Sequence, residues 1–535
     1  MPPSYQINVR AETQAVPWVG LARIFEGLLP VKFSFSAQPE LGGAGEIIIE
    51  DENKPMPASR QKVIPSLRVS RDEKQPSDSK PIDTQVHFTE EPDVPFPFRG
   101  RSLRTKVAVE PKVLSLNRNQ IVLAENESGP VWAVSIERGV KQFSSGFALP
   151  KMPAGGSLID VLNGERFLEI LPLLHWLRGI CSASMFDGPP LRACFIFDDP
   201  NLHWPRYGFV DFRQIAAQAA KENYHVSFAT IPLDTWFTHG ATAELFRANA
   251  SRLSLLIHGN DHLKHELARS YTQPARVSLL AQAIHRIERL EDKTGLPVCR
   301  VMVPPHGACS EEMLAELARS GFEAACISHG SLRAHNRDRL WTKTLGYLPS
   351  EWIQGCPVLP RWGMTGDTTN IILLAAFLGQ PIILRGHHQD LKNGIELLNE
   401  LASFINGLGS VSWSNMTRLC RMNYQWRMDS DVCRVKPLGR KVVFRVPARS
   451  TRLIIEGSES EFQTGWQISV GNETVQRLRV GESISLPDTL GGEVSMMATP
   501  VMTTTMQNGA NGSASWAFLR RLLTEGRDRF MAHLN

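Results

Sequence analysis

The sequence predicts an α/β protein: a barrel-like layer in the middle of the chain, a β-rich segment before it and a small β-sandwich after it. Three observations predict this. From Leu191 onward short β-type runs alternate with longer helical ones, the signature of a parallel α/β layer. The first 150 or so residues carry β-type runs with few helical signals. After about residue 436 the pattern changes to period two, in KVVFRVPARSTRLIIEG, WQISVG and ESISLP, as small antiparallel sheets do. With 535 residues the chain is too long for one hydrophobic core, so several domains are expected.

In chain order, residues 1–150 read as a β-rich accessory domain with apolar runs at Val31 to Phe35 and Glu46 to Ile49. Between Asp51 and Pro81 the composition turns polar and rich in Pro, Ser and Lys (DENKPMPASRQK, then SRDEKQPSDSKP), which predicts a surface loop or disordered insertion with solvated charges. Residues 158–178, inside a linking segment 151–185, have helical apolar spacing and predict an amphipathic helix packed on a core rather than on a membrane. The layer itself spans 186–430. Strands are predicted over 192–197, 225–231, 253–257, 298–303, 323–327 and 381–385, and helices over 211–222, 242–252, 275–293, 310–320 and 394–406. The helix at 310 opens on Ser310 followed by Glu311 and Glu312, acids suited to a helix N-terminus, and stops before Gly321. The β-sandwich is expected over 436–500 and a terminal helix over 513–535.

Composition excludes some functions. A net charge of +4, with 42% hydrophobic and 21% charged residues, creates no basic face, so nucleic acid is not an expected partner. The eight cysteines (181, 194, 299, 309, 326, 356, 420 and 433) form no CxxC pair, which predicts reduced, mostly buried thiols. No charged n-region followed by an apolar core opens the sequence. The longest apolar stretch, Ile371 to Leu384, is broken by Gly379, Gln380 and Pro381, and so reads as helix, turn and strand rather than a membrane span. A soluble, cytoplasmic protein of undetermined oligomeric state is the expectation.

Four polar clusters each follow a predicted strand. Asp198 and Asp199 follow the run ACFIF; alone, such a pair reads equally as a turn plus a helix cap. His258 closes RLSLLIH and begins HGNDH, which sets His258 and His262 four apart, a spacing at which two imidazoles can share one Zn²⁺ but which also arises incidentally among fifteen histidines. His265 reads as a surface residue. The third cluster is VPPHG, Val303 to Gly307, and the fourth is GHHQD, Gly386 to Asp390. On a parallel barrel all four would converge on one rim, where such folds place their chemistry.

The ordered set FDD (197–199), HGNDH (258–262), PPHG (304–307) with LARSGF (317–322), and ILRGH (383–387) resembles polysaccharide deacetylases of carbohydrate esterase family 4, over about residues 190–425. The resemblance implies a distorted (β/α) barrel, a divalent metal such as Zn²⁺, and hydrolysis of an N-acetyl group on an amino sugar of a glycan or glycan precursor. It implies Asp199, His258 and His262 as metal ligands, Asp198 as base and His387 as acid, with His388 the alternative acid, and Pro305 and His306 beside the substrate, the His306 N–H serving as an oxyanion donor. Val303 stands where the resemblance puts the arginine that steadies the base; Arg300 and Arg385 are candidates to replace it. Trp362 and Asp367 lie in the interval of the family's Asp/Trp pair. Two other functions stay open. One is an inactive glycan-binding or scaffold protein, which Val303 favours, and the other a different hydrolase of non-peptide C–N bonds.

Overall fold

The computed structural model describes residues 4–10, 19–36, 43–50, 63–70, 81–153, 155–364, 368–457, 465–470, 473–486, 493–498 and 514–534. The chain divides into two compact units, the first made of Met1–Phe186, Leu340–Leu348 and Asp367–Leu378, the second of the remainder.

The first unit holds a nine-stranded sheet in the order Val31–Ser36, Tyr5–Arg10, Gly45–Glu50, Ser66–Ser70, Val140–Ala148, Gly129–Glu137, Gln120–Asn126, Ile82–Phe88, Ser102–Val107. Its first five strands pair in parallel and the others antiparallel. Parallel neighbours need a crossover, and the helix Val19–Leu28 supplies one, burying Leu21, Ala22, Ile24 and Phe25. The polar insertion expected over 51–81 lies partly outside the described residues; within it, Ser66–Ser70 is an interior strand, with Leu67 and Val69 buried. The helix expected over 158–178 is shorter. A turn at Asn163–Arg166 interrupts it, and the helix proper, Leu171–Ile180, starts with Pro172 in its first turn, where proline is tolerated.

In the second unit the main sheet runs in the order Glu351–Ile353, Cys356–Leu359, Ala324–Cys326, Val298–Met302, Leu253–Ile257, Val226–Thr230, Arg192–Asp198, Ile382–Gly386, Trp362–Gly363, with Ser412–Trp413 pairing onto the start of Arg192–Asp198. Every pairing is parallel except that of Glu351–Ile353 with Cys356–Leu359. Parallel strands are covered on both faces, and Arg192–Asp198 is buried at every position. Among the described residues the sheet is open, because its two terminal strands each have one partner, yet it curls strongly. Leu359 and Trp362 belong to strands near opposite ends of this order, with only Pro360 and Arg361 between them. Three virtual bonds of 3.80 Å keep those two Cα atoms within about 11 Å. The result is the distorted form of a barrel, with its seam crossed by two residues, and the carboxyl ends of the parallel strands share one rim.

Beyond the barrel lie two four-stranded sheets, Tyr424–Asp429, Val432–Pro437, Arg452–Ile455, Ser483–Ser485 and Lys441–Arg445, Glu493–Ala498, Trp466–Val470, Glu473–Leu478. Side chains from both, among them Val435, Leu453, Phe444, Trp466 and Met496, form one core. The helix Ala514–Leu534 ends the chain. All eight cysteines are buried and unbonded to one another. Among the described residues, no helix is long and apolar enough to cross a membrane.

Candidate active site

Asp198 is the last residue of the fully buried strand Arg192–Asp198. Isolated there, its carboxylate would be driven toward protonation by loss of water. Burial does push it up, but the neighbouring charges of Arg361, His258 and His387 outweigh that and hold it below the ordinary carboxylate range. The Arg361 guanidinium donates from Nη1 to Oδ1 at 2.7 Å and to Oδ2 at 2.9 Å, and both residues are about 3% exposed. This corrects the expectation that Arg300 or Arg385 would steady Asp198. Arg300 is held instead by Glu291, at 2.6 and 3.0 Å, and Arg385 has its place on the strand Ile382–Gly386. The orienting cation comes from the seam crossing, immediately after the strand Cys356–Leu359. Trp362 lies in the strand Trp362–Gly363, and Asp367 lies outside the described residues.

Asp199 turns away from the strand with φ 84°, a left-handed conformation that Asp tolerates better than most residues. Its Oδ1 lies 3.1 Å from His262 Nε2 and 3.6 Å from His258 Nε2. The three ligand-type atoms lie within 4.8 Å of one another, yet Asp199 Oδ1 makes no hydrogen bond of acceptable angle. Donor atoms that converge without bonding to one another are what a cation-binding set requires. His258 Nδ1 sits 2.8 Å from the Val303 carbonyl and donates to it, which directs Nε2 toward Asp199. Thus Val303, anomalous as a side chain, serves through its backbone. Burial pushes the Asp199 carboxyl up, but the close approach and charge of the His258 and His262 rings bring it far down; His258, lowered by burial, is raised on balance by Asp199 and Asp198.

The HGNDH loop is built around one carboxylate. Glu266, buried, accepts from the backbone N–H of Asn260 at 2.6 Å, Asp261 at 3.1 Å and Leu263 at 3.1 Å. Arg286 holds the same loop through Asn260 at 2.7 Å and Asp261 at 2.6 Å. Gly259, with φ 64°, could not be replaced without strain: a Cβ there would meet Glu266 Oε1 at 2.0 Å and Pro305 Cγ at 2.6 Å. Pro305 is therefore packed against the histidine loop, while His306 is exposed, with its ring 5.1 Å from that of His262. Of eight described non-glycine residues with positive φ, four (Asp199, His262, His265 and His306) belong to these loops, so backbone strain of about 1–3 kcal/mol each gathers around the site. His265 is exposed, with its ring 6.1 Å from that of His306.

The two adjacent histidines of HHQD are placed differently. His387 is half-buried, its charge acts on Asp198, and its backbone N–H donates to Asp390 Oδ2 at 2.8 Å. His388 is buried, stacked on Phe209 at 5.8 Å and edge-on to Tyr207 at 5.7 Å. Gly208 lies so close to the His388 ring that a Cβ would fall 2.3 Å from Nδ1.

No protein-family profile and no curated protein matches this chain. Solved structures do. The chain is similar in structure to carbohydrate deacetylases. One is Agd3, a carbohydrate deacetylase, at 10% identity over 93% of this chain and 99% of that one, with a TM-score of 0.48. Two others are family 4 carbohydrate esterases. The Streptomyces lividans enzyme, solved with acetate, is 13% identical over 43% of this chain and 93% of its own, with a TM-score of 0.27. The Streptococcus mutans esterase is 13% identical over 42% and 86%, with a TM-score of 0.26.

Proposed function

We propose that the protein is a metal-dependent hydrolase that removes an N-acetyl group from an amino sugar in a glycan or glycan precursor. The observation that supports this best is one rim with two separate charge systems: the convergent Asp199, His258 and His262, and beside them Asp198, ionised and held by Arg361. A divalent ion held by Asp199, His258 and His262, by donor type Zn²⁺, would supply Lewis acidity that polarises the acyl oxygen and acidifies water.

The remaining chemistry belongs to the chain's own groups. Asp198 accepts a proton from the attacking water as its oxygen bonds to the acetyl carbon. Arg361 keeps Asp198 ionised before that step and fixes its two oxygens. As the C–N bond breaks, His387 gives a proton to the departing nitrogen, so that acetate and a free amine leave. His388, walled in by Phe209 and Tyr207, is the less accessible of the two donors. The His306 N–H, beside Pro305, is assigned to the developing oxyanion. An amino-sugar substrate is what the resemblance carried by the ordered FDD, HGNDH, PPHG and ILRGH set implies.

The inactive-scaffold alternative drew its support from Val303, and Arg361 supplies the cation that Val303 lacks. A different C–N hydrolase on the same site remains distinct in substrate only. Metal analysis of the purified protein, combined with acetate release from N-acetylglucosamine oligomers and from a panel of small cyclic and linear amides, tests all three. Protein with about one metal per chain that releases acetate from the oligomers is the expected result. Metal-free protein, or hydrolysis confined to the small amides, overturns the proposal.

A further inference from the structure

One face of the C-terminal helix Ala514–Leu534 carries Ala517, Arg521 and Glu525, four residues apart and so stacked in one column; all three are buried. Each touches a different part of the site's loops. Ala517 packs with Ile231, Leu233 and Leu263. Arg521 holds Asp234 through Nη2 at 2.6 Å and Nε at 3.2 Å, in an ion pair whose two side chains are each about 5% exposed. Glu525 accepts from Asn201 Nδ2 at 3.0 Å and faces His203 Nδ1 at 3.1 Å. Asn201 is two residues beyond Asp199. His203 passes the connection on, its Nε2 lying 2.7 Å from the Asp234 carbonyl, and the Leu233 N–H donates to the Asn260 carbonyl at 3.0 Å, inside the histidine loop. Immediately before Arg521, Arg520 donates to the carbonyls of His262 and Asp261, fixing the peptide of His262, whose φ is 55°.

A helix seated only by apolar contacts could slip by a turn at small cost. This one cannot, because a slip would strand the Arg521 cation and the Asp234 anion in a buried place, a loss of several kcal/mol. The register of the helix is therefore fixed against the loops that bear Asp199 and His262.

We propose that the C-terminal helix is a clamp that positions the metal ligands, with Arg521 and Glu525 as its positioning residues. This rests on the assignment of Asp199, His258 and His262 as a metal site. The test uses the full chain and measures zinc affinity by competition with a chromophoric chelator, together with the visible absorption of the cobalt-substituted protein. Arg521→Met should weaken zinc binding roughly 10- to 100-fold, the range seen when residues supporting metal ligands are lost, and should shift the cobalt bands. Arg521→Lys should recover part of both. Arg421→Met, which breaks the ion pair with Glu323 away from these loops, should change neither, whatever it does to thermal stability. Should Arg521→Met fail to fold, Glu525→Gln, nearly isosteric, replaces it, with weaker zinc binding expected. Wild-type affinity and wild-type cobalt bands in the folded Arg521 or Glu525 variants would overturn the clamp while leaving the metal site standing. Wild-type protein that binds no metal would overturn both.

Discussion

Replacing Arg361 by Met should raise the Asp198 carboxyl, so that less of the proposed base is ionised at neutral pH. The substitution keeps volume and apolar packing but removes the donor of the 2.7 and 2.9 Å contacts, both made where the partners are about 3% exposed. Breaking one side of a pair this deeply buried costs about 3–5 kcal/mol. The site escapes part of that cost by taking up a proton, because burial already pushes Asp198 upward and the foremost charge opposing it is gone. The sign is definite. In the wild type the lowered carboxyl contributes stability at high pH that is lost as pH falls through its folded value, whereas in Arg361→Met the carboxyl rises and the variant loses most relative stability at neutral and higher pH. The rate should fall toward the ~10²- to 10⁴-fold loss expected when a general base is removed, with the acid limb of the kcat/KM profile moved to higher pH and activity partly regained in alkaline buffer. Metal content should stay near wild type. The measurement is a kcat/KM–pH profile on an N-acetylglucosamine oligomer, with metal quantified in the same samples. A variant whose acid limb and rate match wild type would show that Asp198 does not depend on Arg361, and would remove the basis for calling it the base.

Asp198→Asn should keep metal yet lose ~10²- to 10⁴-fold in rate, whereas Asp199→Asn should lose metal, since an amide is a poorer ligand than a carboxylate; equal behaviour of the two in metal analysis would contradict the division of roles. His258→Ala and His262→Ala should each abolish bound metal at stoichiometric loading, and full metal content in both would sink the ligand assignment. His225, buried between the Ser251 carbonyl at 3.0 Å and Ser254 Oγ at 2.8 Å, is pushed down to about 4 from the ordinary 6.5, chiefly by burial. The unfolded chain takes up that proton first, so the stability tied to His225 is complete above pH 6.5 and is lost as pH falls toward 4. His225→Gln should flatten the acid side of the urea-unfolding free energy by about 3 kcal/mol; an unchanged slope between those pH values would show the histidine does not drive it.

The parts of the site legible in the sequence are those in which chemistry and spacing are local. Asp198 and Asp199 sit side by side, His258 and His262 share one loop, and both follow apolar runs long enough to read as strands. Arg361 escaped because the strand before it, CPVL, has four residues, one of them a proline, which weakens any strand pattern, and because it meets Asp198 across 163 residues of sequence. Arg521 and Glu525 look like ordinary solvated charges on an amphipathic helix; only packing reveals that they point inward. The helix Val19–Leu28 carries no acid in its first turn and no base in its last, so the charge signals of a helix are missing from its ends. Ser66–Ser70 has two buried apolar residues in a stretch otherwise read as polar insertion, and its strand state is imposed by the neighbours on either side.

On the proposed assignment of Asp198 as base, the two-residue crossing at Pro360–Arg361 makes chain length itself a catalytic parameter. Loops on this rim can in general be lengthened or exchanged, since loops tolerate insertion. Here one added residue would let the chain advance by about 3.3–3.6 Å, more than the 2.7 Å that separates the guanidinium from Asp198. An engineer grafting new specificity onto this barrel could rebuild the loops after the other strands, but an insertion between Leu359 and Trp362 would displace Arg361 and disarm the proposed base while leaving Asp198 and the Asp199, His258 and His262 set in place.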